Sequence, residues 1–311
     1  MKYCLIFIVF INQLVLSQSV EVYFNNQGVL FKEAGDSILF YQTSEKELNG
    51  NYKRLNYIHP LYTLDGQILT EDFPTDHFHH RGIFWAWHQL YVGDKRVGDS
   101  WDIKNFTWQV LSVNELQSKG EEKSIITHVI WKSPLFLDID GNEKPLVSEH
   151  TTITVYPLEN NYRKIDIEIS LIAKHKNMRI GGSENEKGYG GFSTRIKLVE
   201  DINFTSSTGN VIPKLLPVKA GGWMDISGSL GFEGSMAGLT IFNHPKNPGY
   251  LNPWILRSRN SMQNVVYPYP GSKAVNLSDI EPTVLHYRLL IHNCDKSIDI
   301  PALYNQYGEL Y

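Results

Sequence analysis

The chain has 311 residues and a formal net charge of −4, from 29 Lys and Arg against 33 Asp and Glu. It carries no basic cluster of the kind that phosphate backbones require, which argues against a nucleic-acid partner. Aromatic residues make up 12%, a share that suits a packed β core and also the stacking of rings on sugars.

Lys2 precedes a nearly unbroken apolar run from Cys4 to Leu16. The run is shorter than the roughly 20 residues that a membrane-spanning helix needs. With Val15 and Ser17 placed as a signal peptidase reads them, residues 1–17 are expected to be a cleaved secretory leader. The mature protein would then be periplasmic or secreted, with no membrane span. Cleavage removes Cys4 and leaves Cys294 without an intrachain partner, so the fold must rest on its core and not on disulfides.

Beyond the leader, helical periodicity is nearly absent. Strand-like runs are expected at 20–24, 37–42, 124–131, 151–156, 163–173, 193–198, 238–242 and 285–292. The clearest is 163–173, where Ile165, Ile167, Ile169 and Leu171 alternate with Lys164, Asp166, Glu168 and Ser170. Turn signals such as Asp65-Gly66, Asp140-Gly141-Asn142 and Asn247-Pro248-Gly249 separate the runs. Many short strands and no Pro/Ser-rich linker predict one all-β domain over 18–311, a large antiparallel sandwich or barrel. Two stretches break the pattern: 57–102 is dense in His, Trp and Asp, and 243–271 in Pro, Asn and Tyr. Long irregular segments on a sheet scaffold are where function usually sits.

The segment Asp76-His77-Phe78-His79-His80-Arg81 concentrates the chemistry. In an extended backbone His77 and His79 point one way and His80 the other. Two readings follow. In one, His77 and His79 ligate a metal such as Zn, Cu or Fe, with Asp76 or a distant histidine completing the set. In the other, a histidine serves as general acid or base and Arg81 receives a substrate anion. The apolar run Ile83-Phe84-Trp85-Ala86-Trp87 reads as a buried strand that holds the cluster at its end. Upstream, His59 before Pro60 could join the same pocket.

A second candidate is Gly188-Tyr189-Gly190-Gly191-Phe192-Ser193-Thr194-Arg195, where Tyr189 and Arg195 could project into a cleft or the glycines could form a bulge. A third runs from His244 through Trp254 to Arg257, offering a proton-transfer group, a sugar-stacking ring and an anion contact. Glu149 is a further carboxylate of interest for glycoside chemistry, whereas Glu168 fits a solvated sheet face. The chain lacks HExxH, CxxC pairs, a GxSxG triad and a dinucleotide-type GxGxxG.

Taken together, His59-Pro60-Leu61-Tyr62-Thr63, the run from Leu69 through Asp76-His77-Phe78-His79-His80-Arg81-Gly82, Tyr189 to Arg195, Asn243 to Trp254 and His286-Tyr287-Arg288 resemble the PmoA-like family over residues 25–300. Phe78 departs from the pattern, where Pro is common. That family takes its name from a membrane-bound methane mono-oxygenase subunit. The resemblance implies a sandwich like that of the galactose mutarotases and related lyases, in proteins found beside carbohydrate-degrading enzymes. Catalysis in such sandwiches commonly uses a His with a carboxylate or Tyr on a concave sheet.

The expectation is therefore an exported enzyme acting on a sugar or oligosaccharide by hydrolysis or β-elimination. His79, His80, Tyr189 and His244 are the catalytic candidates. His59, Asp76, Arg81, Arg195 and Trp254 are the substrate-binding ones. The leading reading needs no cofactor. The alternatives are a metal-dependent, oxidative enzyme with a divalent ion on His77, His79 and His59, and a non-catalytic glycan-binding protein that stacks sugars on Trp254.

Overall fold

The alternation at 163–173 is realised in the strand Tyr162–Ala173, with Ile165, Ile167, Ile169 and Leu171 buried to 1% exposure or less. This strand lies inside a nine-stranded antiparallel sheet in a computed structural model that describes residues 19–295 and 297–311. The leader expected over 1–17 lies outside the described residues. Among the described residues the sheet runs, edge to edge, Thr107–Leu116, Lys123–Lys132, Val147–Val155, Tyr162–Ala173, Thr283–His292, Ala237–Asn243, Trp223–Gly228, Asn203–Ser206 and Gly209–Asn210. A second, eight-stranded sheet faces it, in the order Val20–Phe24, Gly28–Glu33, Asp36–Gln42, Tyr57–Leu61, Ile83–Trp87, Gly190–Thr194, Gln263–Val266 and Trp254–Ile255. The protein is an all-β sandwich, as its patterning predicts. The expected strands fall within it with shifted ends; the one expected at 193–198 runs instead from Gly190 to Thr194.

The apolar faces of both sheets form one core, which includes Trp85, Trp87 and Phe192 from the second sheet and Trp131, Ile167 and Tyr287 from the first. Phe192 stacks on Tyr287 with ring centroids 4.2 Å apart. Inside this core sits a carboxylate, Glu149, with no exposed surface. Its Oε1 accepts hydrogen bonds from Trp85 Nε1 (2.8 Å), Asn56 Nδ2 (2.8 Å) and Thr151 Oγ1 (2.7 Å), and its Oε2 from Trp131 Nε1 (2.7 Å). Burial raises its pKa, and the four donors only partly offset that. Glu149 thus links the sheets through two indoles and has no route to a substrate, which removes it from the glycoside-type carboxylates.

A third, four-stranded sheet matters for function. It is ordered Val275–Asn276, Met178–Gly181, Gln89–Val92 and Lys95–Gly98. The chain leaves the eight-stranded sheet at Trp87 and enters this one at Gln89, so His88 is the single residue at the crossing. The pairing of Leu90 with Gly98 then brings Asp99 back beside His88.

One helix, Ile300–Gly308, departs from the expected absence of helices. Its start was readable: Asp299 caps it by accepting Ala302 N–H at 3.0 Å, and Pro301 occupies the first turn. Leu303 and Tyr307 from this helix pack on Trp223, Phe242 and Leu290, so it covers part of the outer face of the nine-stranded sheet. On the neighbouring strands His292 Nε2 meets Asp225 Oδ1 at 2.8 Å. Burial pushes the His292 pKa down, but Asp225 outweighs it and the result is raised to about 9.

Replacing Glu149 by Ala strands two indole N–H groups, Asn56 and Thr151 in the core, and should cost at least about 3 kcal/mol, read by urea denaturation. Glu168→Ala, at a half-exposed site, should cost under about 1 kcal/mol. The His292–Asp225 pair gives a second outcome. A folded-state pKa raised to about 9 means stabilisation that is complete below about pH 6.5 and lost as pH rises from there through about 9. Melting curves of Asp225→Asn should therefore lack the decline that the native protein shows across this window.

Candidate functional site

The loop between Leu61 and Ile83 carries the three histidines, and buried arginines hold its shape. Arg195 donates to Asp76 through both terminal nitrogens (2.8 and 2.6 Å) and to Glu71 through Nε (2.7 Å). Arg81 pairs with Asp72 and donates to Tyr57 Oη (2.6 Å) and to the Tyr52 carbonyl (2.9 Å), with its guanidinium over the Phe73 ring. Arg81 is fully buried and Arg195 is 3% exposed. Both arginines are internal clamps, so the expectation that they receive a substrate anion is corrected: their donors already face protein acceptors. Gly82 closes the loop with φ +52°, where a Cβ would stand 2.0 Å from the Ile58 carbonyl oxygen.

The clamped segment is not extended. His77 N–H donates to the Pro74 carbonyl and His80 N–H to the His77 carbonyl, giving two successive turns. The turns defeat the expected separation of His80 from His77 and His79. His77 and His80 are stacked at 4.6 Å, and His79 meets His80 edge-on at 4.5 Å. His77 is half-buried and shares a hydrogen bond with Asp76 at 2.8 Å. His80 is 3% exposed and its Nδ1 has no partner. Burial, then the neighbouring His79 and His77, push the His80 pKa far down. Burial likewise lowers His79 to about 4. Both imidazoles are neutral at pH 7, and as general bases they are poorly matched to that pH.

The residue that joins this cluster from the crossing point is His88. Its Nδ1 lies 3.0 Å from Asp99 Oδ2. Asp99 Oδ1 accepts the Asp102 N–H at 2.8 Å. Asp102 in turn lies 3.8 Å from His79 Nε2 and 2.8 Å from Lys104 Nζ. Trp101 is the hub: its ring stacks with His88 at 5.3 Å and lies 6.1 Å from His80 and 5.7 Å from Tyr189. Buried Arg54 fixes the hub from behind by donating to the carbonyls of Ser100 (2.8 Å) and Trp101 (3.2 Å). Tyr189 is half-buried, with its oxygen accepting from Arg257 at 2.7 Å.

The structure thus gathers His77, His79, His80 and Tyr189 into one cluster of rings around Trp101, with Asp76 bonded to His77 at its edge. His59 sits behind the loop, with Nδ1 2.9 Å from Thr70 Oγ1 and a pKa that burial lowers to about 4. His244 and Trp254 are elsewhere. His244 is fully buried, its Nε2 donating to the Tyr307 carbonyl and its Nδ1 accepting the Lys246 N–H, so neither nitrogen is free for proton transfer. Trp254 is a fully buried core side chain bonded to the Gly221 carbonyl, so it has no face to offer a sugar. Of the expected metal set, His59 sits behind the loop, apart from the ring contact of His77 with His79. Among the described residues, the group of three such side chains whose ligand atoms all lie within 4.8 Å of one another is His88, Asp99 and Asp102.

His88, Asp99, Trp101 and Asp102 escaped single-residue selection, although the density of His, Trp and Asp over 57–102 pointed to them. A larger cleft of about 810 Å³ is lined by residues including Glu33, Asp36, Glu122, Glu159 and Arg163. In its lining Glu33 pairs with Arg163 and Glu159 with the nearby Lys164, and it contains no imidazole.

A β-sandwich bearing a histidine-rich basin at the crossing between two of its sheets is the class to which this protein belongs. More particularly, the chain is a member of a family of unknown function, DUF6807, whose model matches residues 29–300. No curated protein matches it.

Asp76 tests the clamp. Burial pushes its carboxyl up, but Arg195 and His77 outweigh that and hold it well below the usual range. A depressed pKa gives stabilisation that is present above about pH 4 and lost as pH falls. Asp76→Asn should lose roughly 1–3 kcal/mol at pH 7, and the gap to the native protein should narrow on acidification below about pH 4, read by thermal melts.

Proposed function

We infer that the protein is a carbohydrate-active enzyme whose active centre is the histidine basin. The observation that carries this reading is the His88–Asp99 pair at the sheet crossing. A carboxylate on Nδ1 orients an imidazole and leaves its other nitrogen for chemistry. Trp101 packs His88 in place, so the group is held by rigid elements rather than by a free loop. Tyr189 stands across the same indole as a second proton-transfer group, backed by the Arg257 guanidinium.

Support for a sugar comes from the mixture at the basin. His77, His79, Asp99 and Asp102 offer donors and acceptors for hydroxyls. Phe78 and Tyr52, in ring contact at 5.5 Å beside His77, supply an aromatic edge in place of Trp254. The reaction would be hydrolysis or β-elimination, with His88 taking the catalytic role first assigned to His79 and His80. Export through the leader over 1–17 belongs to the same proposal and is tested by the N-terminal sequence of the secreted product. Among the described residues, no helix is long and apolar enough to cross a membrane.

The test is turnover of a panel of oligosaccharides, uronides and keto-sugars, read by mass spectrometry, by the native protein and by His88→Gln. Turnover that falls at least about 100-fold in the variant supports the reading, and product mass separates hydrolysis from elimination. Turnover retained within a few-fold removes His88 from the mechanism. Saturable binding without product, across the panel, would favour a glycan-binding protein instead.

A further inference from the structure

We propose that His88, Asp99 and Asp102 bind one divalent first-row transition ion, with His79, which lies near Asp102 but outside that group of three, moving in as a fourth ligand. The inference rests on the reading of the cluster as an active centre and changes one role in it: with His88 and Asp99 on the ion, the proton transfer given to His88 would pass to an ion-activated water, while the binding itself stands on geometry.

The ligand atoms of His88, Asp99 and Asp102 already lie within 4.8 Å of one another. Donors that share an ion at about 2.1 Å stand roughly 3 to 3.5 Å apart, so side-chain rotation closes the set. His79 Nε2 lies 3.8 Å from Asp102 Oδ1, too long for a hydrogen bond and close to the spacing of two ligands on one ion. Two imidazoles and two carboxylates make a mixed donor set. Such a set suits Mn²⁺, Fe²⁺, Co²⁺ or Zn²⁺ better than Mg²⁺ or Ca²⁺, which prefer oxygen alone.

The surroundings fit as well. The Asp102 N–H donates to Asp99, and His88 stacks on Trp101, so the donors are oriented from outside the set. The two carboxylates are now balanced by Lys104 and Arg96, whose side chains are 70% and 42% exposed. Such surface cations can swing into water as an ion arrives. A depression of about 440 Å³, lined by Arg96, Gly98, Asp99, Lys104, Asn105 and Leu135, gives the ion a path to Asp99. A bound ion would act as a Lewis acid on a substrate oxygen or activate a water.

The test uses the full chain without a histidine tag, stripped with chelator and titrated with Zn²⁺ or Mn²⁺ alone. Ion content is measured by elemental analysis, affinity by calorimetry and stability by thermal melting. The expected result is one ion per chain and a melting temperature raised by several degrees. Asp102→Asn should weaken binding at least 10-fold. Lys104→Ala, a surface change that leaves the core intact, should tighten it by removing the competing cation. His150→Gln, in the stacked His128–His150 pair on the other sheet, should leave it unchanged. The proposal is overturned by substoichiometric binding of both ions at 100-fold molar excess. It is equally overturned by binding that Asp102→Asn and Lys104→Ala leave unaltered or that His150→Gln abolishes. Stoichiometric binding without turnover would uphold the site and count against the enzyme reading. Turnover by the stripped protein would uphold the enzyme reading and overturn the ion's role as its cofactor.

Discussion

The buried carboxylate of Glu149 is the constraint on which the molecule turns. It lies in the apolar core between the two sheets, and it accepts from an indole on each, Trp85 and Trp131. A buried charge without a cation partner is tolerated only when every lone pair finds a donor in fixed geometry. That requirement locks the register of Ile83–Trp87 against the opposite sheet. The same strand carries the histidine loop at one end and His88 at the other, so the precision of the site derives from the core beneath it.

Around the basin, the positive charges that sequence assigns to substrate are used to build. Arg81 and Arg195 are buried against carboxylates and carbonyls, and Arg54 holds two carbonyls behind Trp101. A planar arginine fork can hold backbone and carboxylates at several points at once, which a lysine could not do. What remains around Trp101 is mainly imidazole and carboxylate, with the exposed Lys104 and Arg96 on the two carboxylates. The electrostatic character of the basin is therefore that of a site for a cation, or for a neutral polar molecule, more than for an anion.

The three histidines illustrate how folding changes chemistry that composition already announces. An alternating strand would have put His80 on the far side of the backbone. Two turns, fixed by Asp76 on Arg195 and by Gly82 at positive φ, instead press the three rings together. Crowding and burial keep His79 and His80 neutral. The better-placed imidazole is His88, whose partner Asp99 lies eleven residues on and reaches it only through a hairpin.

Much of the scaffold was legible because its signals are local. Period-two alternation marked the buried strands, and the apolar run before His88 marked Ile83–Trp87 as interior. The density of His, Trp and Asp over 57–102 located the site to within one segment. The helix at Ile300–Gly308 was readable from Asp299 and Pro301 but is too short to show a period. What sequence could not decide was pairing in space. Whether a Trp is a platform or core, as at Trp254, depends on which sheet covers it. Whether an Arg meets substrate or an Asp, as at Arg195, depends on a neighbour over a hundred residues away. The amino-acid sequence by itself determined an all-β chain with a histidine-rich segment. Only tertiary structure decided which side chains share the basin, because burial and partnership are properties of the packed sheets and not of any one strand.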